Sequence, residues 1–242
     1  MLNQHKWNAA RFHRSLAGVS MGETVLDLGC GSGASLGPLL EAVGAGGVVH
    51  GLDRMAGALQ SAAERHASIE SGRLVLTRGD VAHPPFADGF FDAVICQNVI
   101  ECVGDRAALV TQAHRLLKPG GRLLLGHHDF DGIILLGDDR DLTRRLVHAF
   151  ADFKQDWQDA AEGRMGRMIP GLVASGGIVS VEIETRMFVD LDLTAGSYAG
   201  DYVGWLVETA PALGIAPEEV ANWRAALEAA CRDDVSSSPF RG

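Results

Sequence analysis

The chain is short of several features that would have fixed its class at once. Its four cysteines (Cys30, Cys96, Cys102 and Cys231) form no CxxC pair, so they are not a paired-cysteine motif, and free thiols in a reducing, cytoplasmic setting are the simplest reading. Basic residues are in deficit, with Lys+Arg 21 against Asp+Glu 31 and a formal net charge of -10. Such a surface repels phosphate backbones, which excludes nucleic acid as an expected partner. The arginines at 144–145 and at 164 and 167 make only short clusters among acids. No uninterrupted apolar stretch is long enough to span a bilayer, and the opening MLNQHKWNAARFHRSLAG has no apolar signal core, so no membrane association is expected. Repeats and low-complexity linkers are missing too.

What is present suits one folded domain. The 242 residues are 47% hydrophobic and 21% charged, enough for a single sizeable core. Short apolar runs alternate with helical periodicity through the first half. Strands are expected at Val25–Leu28, Val48–Leu52, Arg73–Thr77, Phe91–Cys96 and from Arg122. Helices are expected at Trp7–Leu16, Ala34–Val43, Met55–Ser68 and Ala107–Leu117. Continuous apolar strands joined by helices imply a parallel sheet covered on both faces, with ligands at the strand C-terminal edge where strand order reverses. The second half is less regular. Helices are expected at Asp141–Trp157, Gly166–Ser175, Tyr198–Leu213 and Pro217–Cys231. The alternation of Val179, Val181 and Ile183 suggests a strand within Ile178–Leu193. The expected division is a cap helix in residues 1–20, a cofactor-binding core in 21–130, and substrate-side helices forming a lid in 131–242.

The segment VLDLGCGSG (Val25 to Gly33) carries an acid inside an apolar strand and then three glycines spaced by single residues. Glycines there allow unusual dihedrals and a close approach of backbone to ligand. The GxGxG spacing differs from the dinucleotide GxGxxG, and alone it reads equally as a tight strand–helix connection. Asp53 ends the second strand, where a carboxylate can accept ribose hydroxyls. Asp80 follows the third, where it can accept from an adenine amine while the Val81 N–H donates to a ring nitrogen. Either acid alone reads as a turn or cap residue. Three acids after three successive parallel strands, facing one edge, point to a shared ligand.

These pieces, with FDAVICQNVIECV and LLKPGGRLLL in the same order, resemble the class I S-adenosylmethionine-dependent methyltransferases, and most of all small-molecule enzymes similar to the quinone-biosynthesis methyltransferases. The likeness covers roughly residues 24–128. It implies an α/β, Rossmann-like, seven-stranded, mostly parallel sheet with helices on both faces. It also implies S-adenosyl-L-methionine as cofactor. Asp27 would face the methionine amine, and Gly29, Cys30, Gly31 and Gly33 would lie beside the methionine and ribose. Asp53 would hold the ribose, Arg54 and Met55 would flank the adenine, and Gly79, Asp80 and Val81 would edge it. The Gln97 carbonyl would receive the ammonium.

The acceptor side carries patterns without a motif. His127 and His128 stand where the fifth strand opens into GHHDFDG, near the expected methyl position, and are the candidate general bases. Successive strand residues point to opposite faces, so both cannot face one pocket if the strand continues. A His-His-Asp metal site is the weaker reading, since adjacent residues seldom converge on one ion, and none is expected. Glu101 reads as a helix-starting residue. Trp7 and His13 lie on the cap helix, where closing over the cofactor and simple packing stay equal. Arg164 and Arg167 suit solvated or helix-bordering positions better than a grip on an acidic substrate. Tyr198, Tyr202 and Trp205 lie at helical spacing as a packed stripe or a lid face.

Two departures from the family pattern matter. No apolar final strand is evident in RDDVSSSPFRG, and CQNV stands where nucleobase amino-methylating enzymes have NPPY or DPPY. The expected function is methyl transfer to oxygen, nitrogen or carbon of a small organic acceptor, plausible for specialised metabolism. A nicotinamide-dependent oxidoreductase and a non-catalytic S-adenosylmethionine-binding protein are the rivals. A homodimer stays open.

Overall fold

The computed structural model describes residues 18–135, 137, 139–175, 178, 181–185, 187, 190, 192–194 and 196–237. Five strands form one parallel sheet: β1 (Thr24–Leu28), β2 (Val48–Asp53), β3 (Leu74–Arg78), β4 (Phe91–Gln97) and β5 (Leu117–Gly126). Their order is β3-β2-β1-β4-β5. The chain builds outward from β1 through β2 to β3, then returns to the other side of β1 for β4 and β5. Strand order therefore reverses between β1 and β4, the place beyond whose strand ends open α/β sheets bind their ligands.

Side-chain alternation covers both faces. Leu26 and Leu28 of β1 join Val94 and Cys96 of β4 on one face, packed by Leu109, Val110 and Ala113 of α3 (Arg106–Arg115) and Met165 of α5 (Met165–Ser175). Val25, Ala93 and Ile95 face the other way, against Leu36, Leu39 and Leu40 of α1 (Leu36–Val43) and Ala62 of α2 (Ala56–Arg65). Period-two projection from a strand produces this division. The lower end of β4 is tied down as well: Asp92 accepts from the Thr24 N–H and from Lys118 Nζ, at 2.9 and 2.8 Å.

The C-terminal half builds a second core. Leu142, Leu146 and Val147 of α4 (Arg140–Ala151) pack with Tyr202, Val203 and Leu206 of α6 (Tyr198–Thr209). Val220, Trp223 and Leu227 of α7 (Pro217–Ser237) complete it. A buried polar thread runs through this cluster. Trp223 Nε1 donates to Thr143 Oγ1 at 2.8 Å, and that hydroxyl donates to the Asp139 carbonyl at 2.6 Å.

Several expectations need correction. The sheet has five strands among the described residues, not seven. None of the described residues between 178 and 193 is in a strand. Val181 and Ile183 are exposed, and Val179 of the same alternation lies outside the described residues. The helix expected over Asp141–Trp157 stops at Ala151. Beyond it a turn forms, with the Gln155 N–H donating to the Gln158 side-chain oxygen at 2.8 Å. The helix from Tyr198 tightens to 3-10 geometry at Ala210–Leu213, where Pro211 removes an N–H. The last helix runs to Ser237, past the expected end at Cys231, so the final stretch up to that point is helical. The expected helix at Trp7–Leu16 lies outside the described residues.

Candidate functional site at the sheet edge

Asp27 sits in the middle strand, paired in register with Gly51 of β2 and Ile95 of β4. Its side chain is buried, and its Oδ2 has no hydrogen-bond partner. Burial, and then the negative charge of Asp53, push its carboxyl up to about 7, while a hydrogen bond with the Ser35 side chain pulls the other way. Burial disfavours the charged form of this acid, and its Oδ2 keeps an unused acceptor site.

The glycine turn divides its labour. Gly29, Gly31 and Gly33 all have positive φ, at 87°, 51° and 80°. A Cβ on Gly29 would stand 2.4 Å from Val99 Cγ2, and one on Gly33 would stand 3.0 Å from Ala62 Cβ. These two glycines serve packing within the protein. A Cβ on Gly31 would meet nothing within 4 Å, so Gly31 faces open space. The turn is anchored to β2 by the N–H groups of Gly29 and Cys30, which both donate to the Leu52 carbonyl at 2.8 and 2.9 Å. Cys30 is buried beside the turn, and burial with the nearby Asp27 and Asp53 charges pushes its thiol far up, so it is a packing group rather than a nucleophile.

Asp53, the last residue of β2, organises the same corner. Its Oδ2 accepts from the Gly31 N–H at 2.9 Å and its Oδ1 from the Met55 N–H at 2.8 Å. Gly79 donates to the Asp53 carbonyl at 3.0 Å, and a Cβ there would press on Leu52 at 2.9 Å. Asp80 is exposed beyond β3. It accepts from the Ala82 N–H at 2.9 Å and contacts His83 Nδ1 at 3.2 Å, and the Ala82 bond is the first of the contacts that draw its carboxyl below the ordinary range. Val81 follows it, partly buried against the sheet core. Met55 is exposed at the same rim.

Arg54 reaches away from this corner to the segment after α4. Its Nη1 contacts Asp159 Oδ2 at 3.0 Å, and its Nη2 donates to the Trp157 carbonyl. That segment also lies against the 3-10 turn after β4: the Asp159 N–H donates to the Cys102 carbonyl at 2.9 Å, and Gln158 Nε2 to Cys102 Sγ at 3.2 Å. Nothing local in the sequence marks these partners, which lie more than fifty residues apart.

Beyond β4 and β5 the two histidines diverge. Gln97 pairs with Gly126, where β5 ends. His127 and His128 therefore lie outside strand geometry, and strict alternation does not bind them. The His127 ring has no exposed surface. Its Nδ1 lies 2.5 Å from the His128 carbonyl, and its Nε2 lies 3.6 Å from Glu101 Oε2. Burial lowers His127 to about 4 and, in the opposite sense for an acid, raises Glu101 to about 7. The His128 N–H donates to Asn98 Oδ1 at 3.1 Å, and its ring lies 5.6 and 5.4 Å from the rings of Phe130 and Tyr198. Asn98 holds φ at 52°, a conformation asparagine tolerates better than most residues.

The remaining expectations resolve by contact. Arg164 pairs with Glu162, and Arg167 with Asp129 and Asp131. Tyr202 is buried, with its ring stacked parallel to Phe130, while Trp205 is half exposed against Phe150. Among the described residues no group of three His, Cys, Asp or Glu side chains is placed to hold a metal ion, and no helix is long and apolar enough to cross a membrane.

A parallel sheet whose order reverses, a glycine turn with one open position and a buried acid with a free oxygen on the central strand fit the class I S-adenosylmethionine-dependent methyltransferases. The chain belongs to this family: a model described as "Methyltransferase domain" matches residues 20–188. It is 36% identical over 149 residues to a 2-phytyl-1,4-naphtoquinone methyltransferase of Synechococcus elongatus, covering 60% of each chain. It is also 31% identical over 174 residues to an uncharacterised 37.1 kDa protein in a transposon of Streptomyces fradiae, covering 70% of this chain and 48% of that one. The chain thus spans about half the length of the curated relatives it matches. A solved structure of a putative methyltransferase from Bacillus halodurans shares the fold, with a TM-score of 0.57 over 97% of this chain and 87% of the other, at 18% identity. The cofactor of the class is S-adenosylmethionine, and the nicotinamide alternative finds no support in these relatives.

Proposed function

We propose that the chain transfers a methyl group from S-adenosylmethionine to a small organic acceptor. The observation that carries this reading is the unpartnered oxygen of Asp27, buried on β1 at the reversal of strand order. The methionine ammonium would meet that oxygen, with the Gln97 carbonyl beside it. Gly31, open to its surroundings, would admit the nucleoside close to the backbone. Asp53 already holds the turn through Gly31 and has lone pairs left for ribose hydroxyls. Asp80 and the Val81 N–H would edge the adenine, with Met55 against its face. The sulfonium supplies both methyl and leaving group: a bond from the acceptor to the methyl carbon forms as the carbon–sulfur bond breaks, its electron pair staying on sulfur.

The protein then needs only to position the acceptor and keep water out, and positioning alone supplies about 7–11 kcal/mol. His128, Phe130 and Tyr198 present neighbouring rings that suit an organic acceptor with a flat face. A cytoplasmic setting fits four free cysteines. The reading is tested by incubating the purified chain with S-adenosylmethionine and acceptors and measuring S-adenosylhomocysteine. Turnover with at least one small molecule, and thermal stabilisation by the cofactor, are expected. If neither S-adenosylmethionine nor S-adenosylhomocysteine raises the melting temperature at millimolar concentration, the reading fails.

A further inference from the structure

A line of buried polar contacts runs behind the acceptor side of the crevice, and its directions are fixed by chemistry. Gln158 Nε2 donates to Cys102 Sγ at 3.2 Å, and that thiol donates to Glu101 Oε1 at 3.9 Å. At the other end a carbonyl can only accept, so His127 Nδ1 carries the proton that meets the His128 carbonyl at 2.5 Å. A neutral His127 then turns a bare lone pair at Nε2 toward Glu101 Oε2, 3.6 Å away. That nitrogen is fully buried and has no hydrogen-bond partner. The imidazole has no exposed surface, whereas the Glu101 side chain is 13% exposed. Glu101 is thus the member of the pair that an acceptor can reach.

We infer that Glu101 takes the proton from the methyl acceptor, with His127 behind it as a positioning residue that receives the proton Glu101 gives up. This rests on the methyl-transfer reading above. In the resting pair His127 is the neutral base, as its contact with the His128 carbonyl requires, and Glu101, raised to about 7 by burial, is the acid that carries the second proton below that pH. As the acceptor oxygen bonds to the methyl carbon and the carbon–sulfur bond breaks, the acceptor's proton passes to Glu101 Oε1. The proton on Oε2 passes to His127 Nε2. Glu101 ends neutral, His127 ends as imidazolium, and the proton later returns to water through Glu101. The gap of 3.6 Å has to close for this transfer. The acceptor is accordingly a group with a proton to surrender: a phenol, an enol or an acidic carbon.

The charged and titratable groups around the pair are Cys102 and Arg106 about Glu101, and His128, Asp129 and Arg106 about His127. Glu101→Gln keeps an N–H donor toward Nε2 but cannot relay a proton. We expect it to bind S-adenosylhomocysteine within about threefold of wild type by calorimetry. With catechol or 2-naphthol as probe, its turnover should fall by about 10²–10⁴-fold. Pyridine, which has no proton to lose, should not be favoured over the phenols. In ¹⁵N-edited spectra His127 should stay neutral with its proton on Nδ1 from pH 5.5 to 8, its Nε2 signal shifting as Glu101 titrates in wild type and staying fixed in the variant. A His127 proton on Nε2, or full turnover by Glu101→Gln, overturns the inference. If none of the probes turns over, the tautomer decides. Loss of S-adenosylhomocysteine binding by the wild type would instead sink the methyl-transfer reading itself.

Discussion

Cofactor affinity should depend on pH through Asp27. The carboxyl is buried, lies next to Asp53 and is raised to about 7. Below that value it is protonated and cannot pair with an ammonium until it releases its proton. Each pH unit below the pKa then weakens binding about tenfold, or about 1.4 kcal/mol. From pH 8 to pH 5 the Kd for S-adenosylmethionine should rise about 100-fold, or about 2.7 kcal/mol, flattening above pH 7. Titration calorimetry in two buffers of different ionisation enthalpy measures this directly. Roughly 0.9 proton should leave per cofactor bound at pH 6 and roughly 0.1 at pH 8. Glu101 titrates in the same range, so the Glu101→Gln variant serves as a control and should keep the slope, whereas Asp27→Asn should lose it. The same shift acts on folding. Between the ordinary aspartate value near 4 and pH 7 the native state binds more protons than the unfolded chain, so the Asp27 contribution to stability is complete below that window and is lost as pH rises through 7. Cofactor should abolish this loss by pulling the carboxyl back down. A wild-type Kd that is flat from pH 5.5 to 8, with no proton released, would refute the assignment of Asp27 to a cation.

Two other substitutions separate packing from binding. Gly31→Ala faces open space and should lower the melting temperature by only about 2–4 °C, yet weaken cofactor binding at least about tenfold; Gly29→Ala, driven into Val99, should cost about 2–3 kcal/mol of stability before binding is considered. Thermal melts and calorimetry on the two proteins test the contrast, and equal effects on both readouts would contradict it. Tyr202→Phe removes a buried hydroxyl that has no partner, so urea denaturation should find it as stable as wild type or up to about 1 kcal/mol more so. A clear loss would mean that the hydroxyl is satisfied.

Which parts of this were readable in the sequence follows from the range of the interactions involved. The strands β1 to β5 are short apolar runs closed by turns, and the acids at 27, 53 and 80 lie at fixed offsets along them, so local pattern suffices. The partition among the glycines was not readable, because it depends on Val99 and Ala62, which approach from distant loops and helices. The same holds for Arg54 with Asp159, and for His127 with Glu101, where contact spans 105 and 26 residues. Glu101 looked like a helix-starting residue because its neighbours turn into a 3-10 segment over Ile100–Cys102; its second role needs the fold. Among the described residues of Ile178–Leu193 no strand forms, for a related reason. Alternation reports a half-buried surface only when a sheet edge is there to receive it, and Val181 and Ile183 are exposed.

The most direct measurement is a crystal structure of the chain with S-adenosylhomocysteine. The expected result has the amino group within hydrogen-bonding distance of Asp27 Oδ2 and the nucleoside lying over Gly31. An amino group held elsewhere, with Asp27 Oδ2 still unpartnered in the complex, would contradict the central claim.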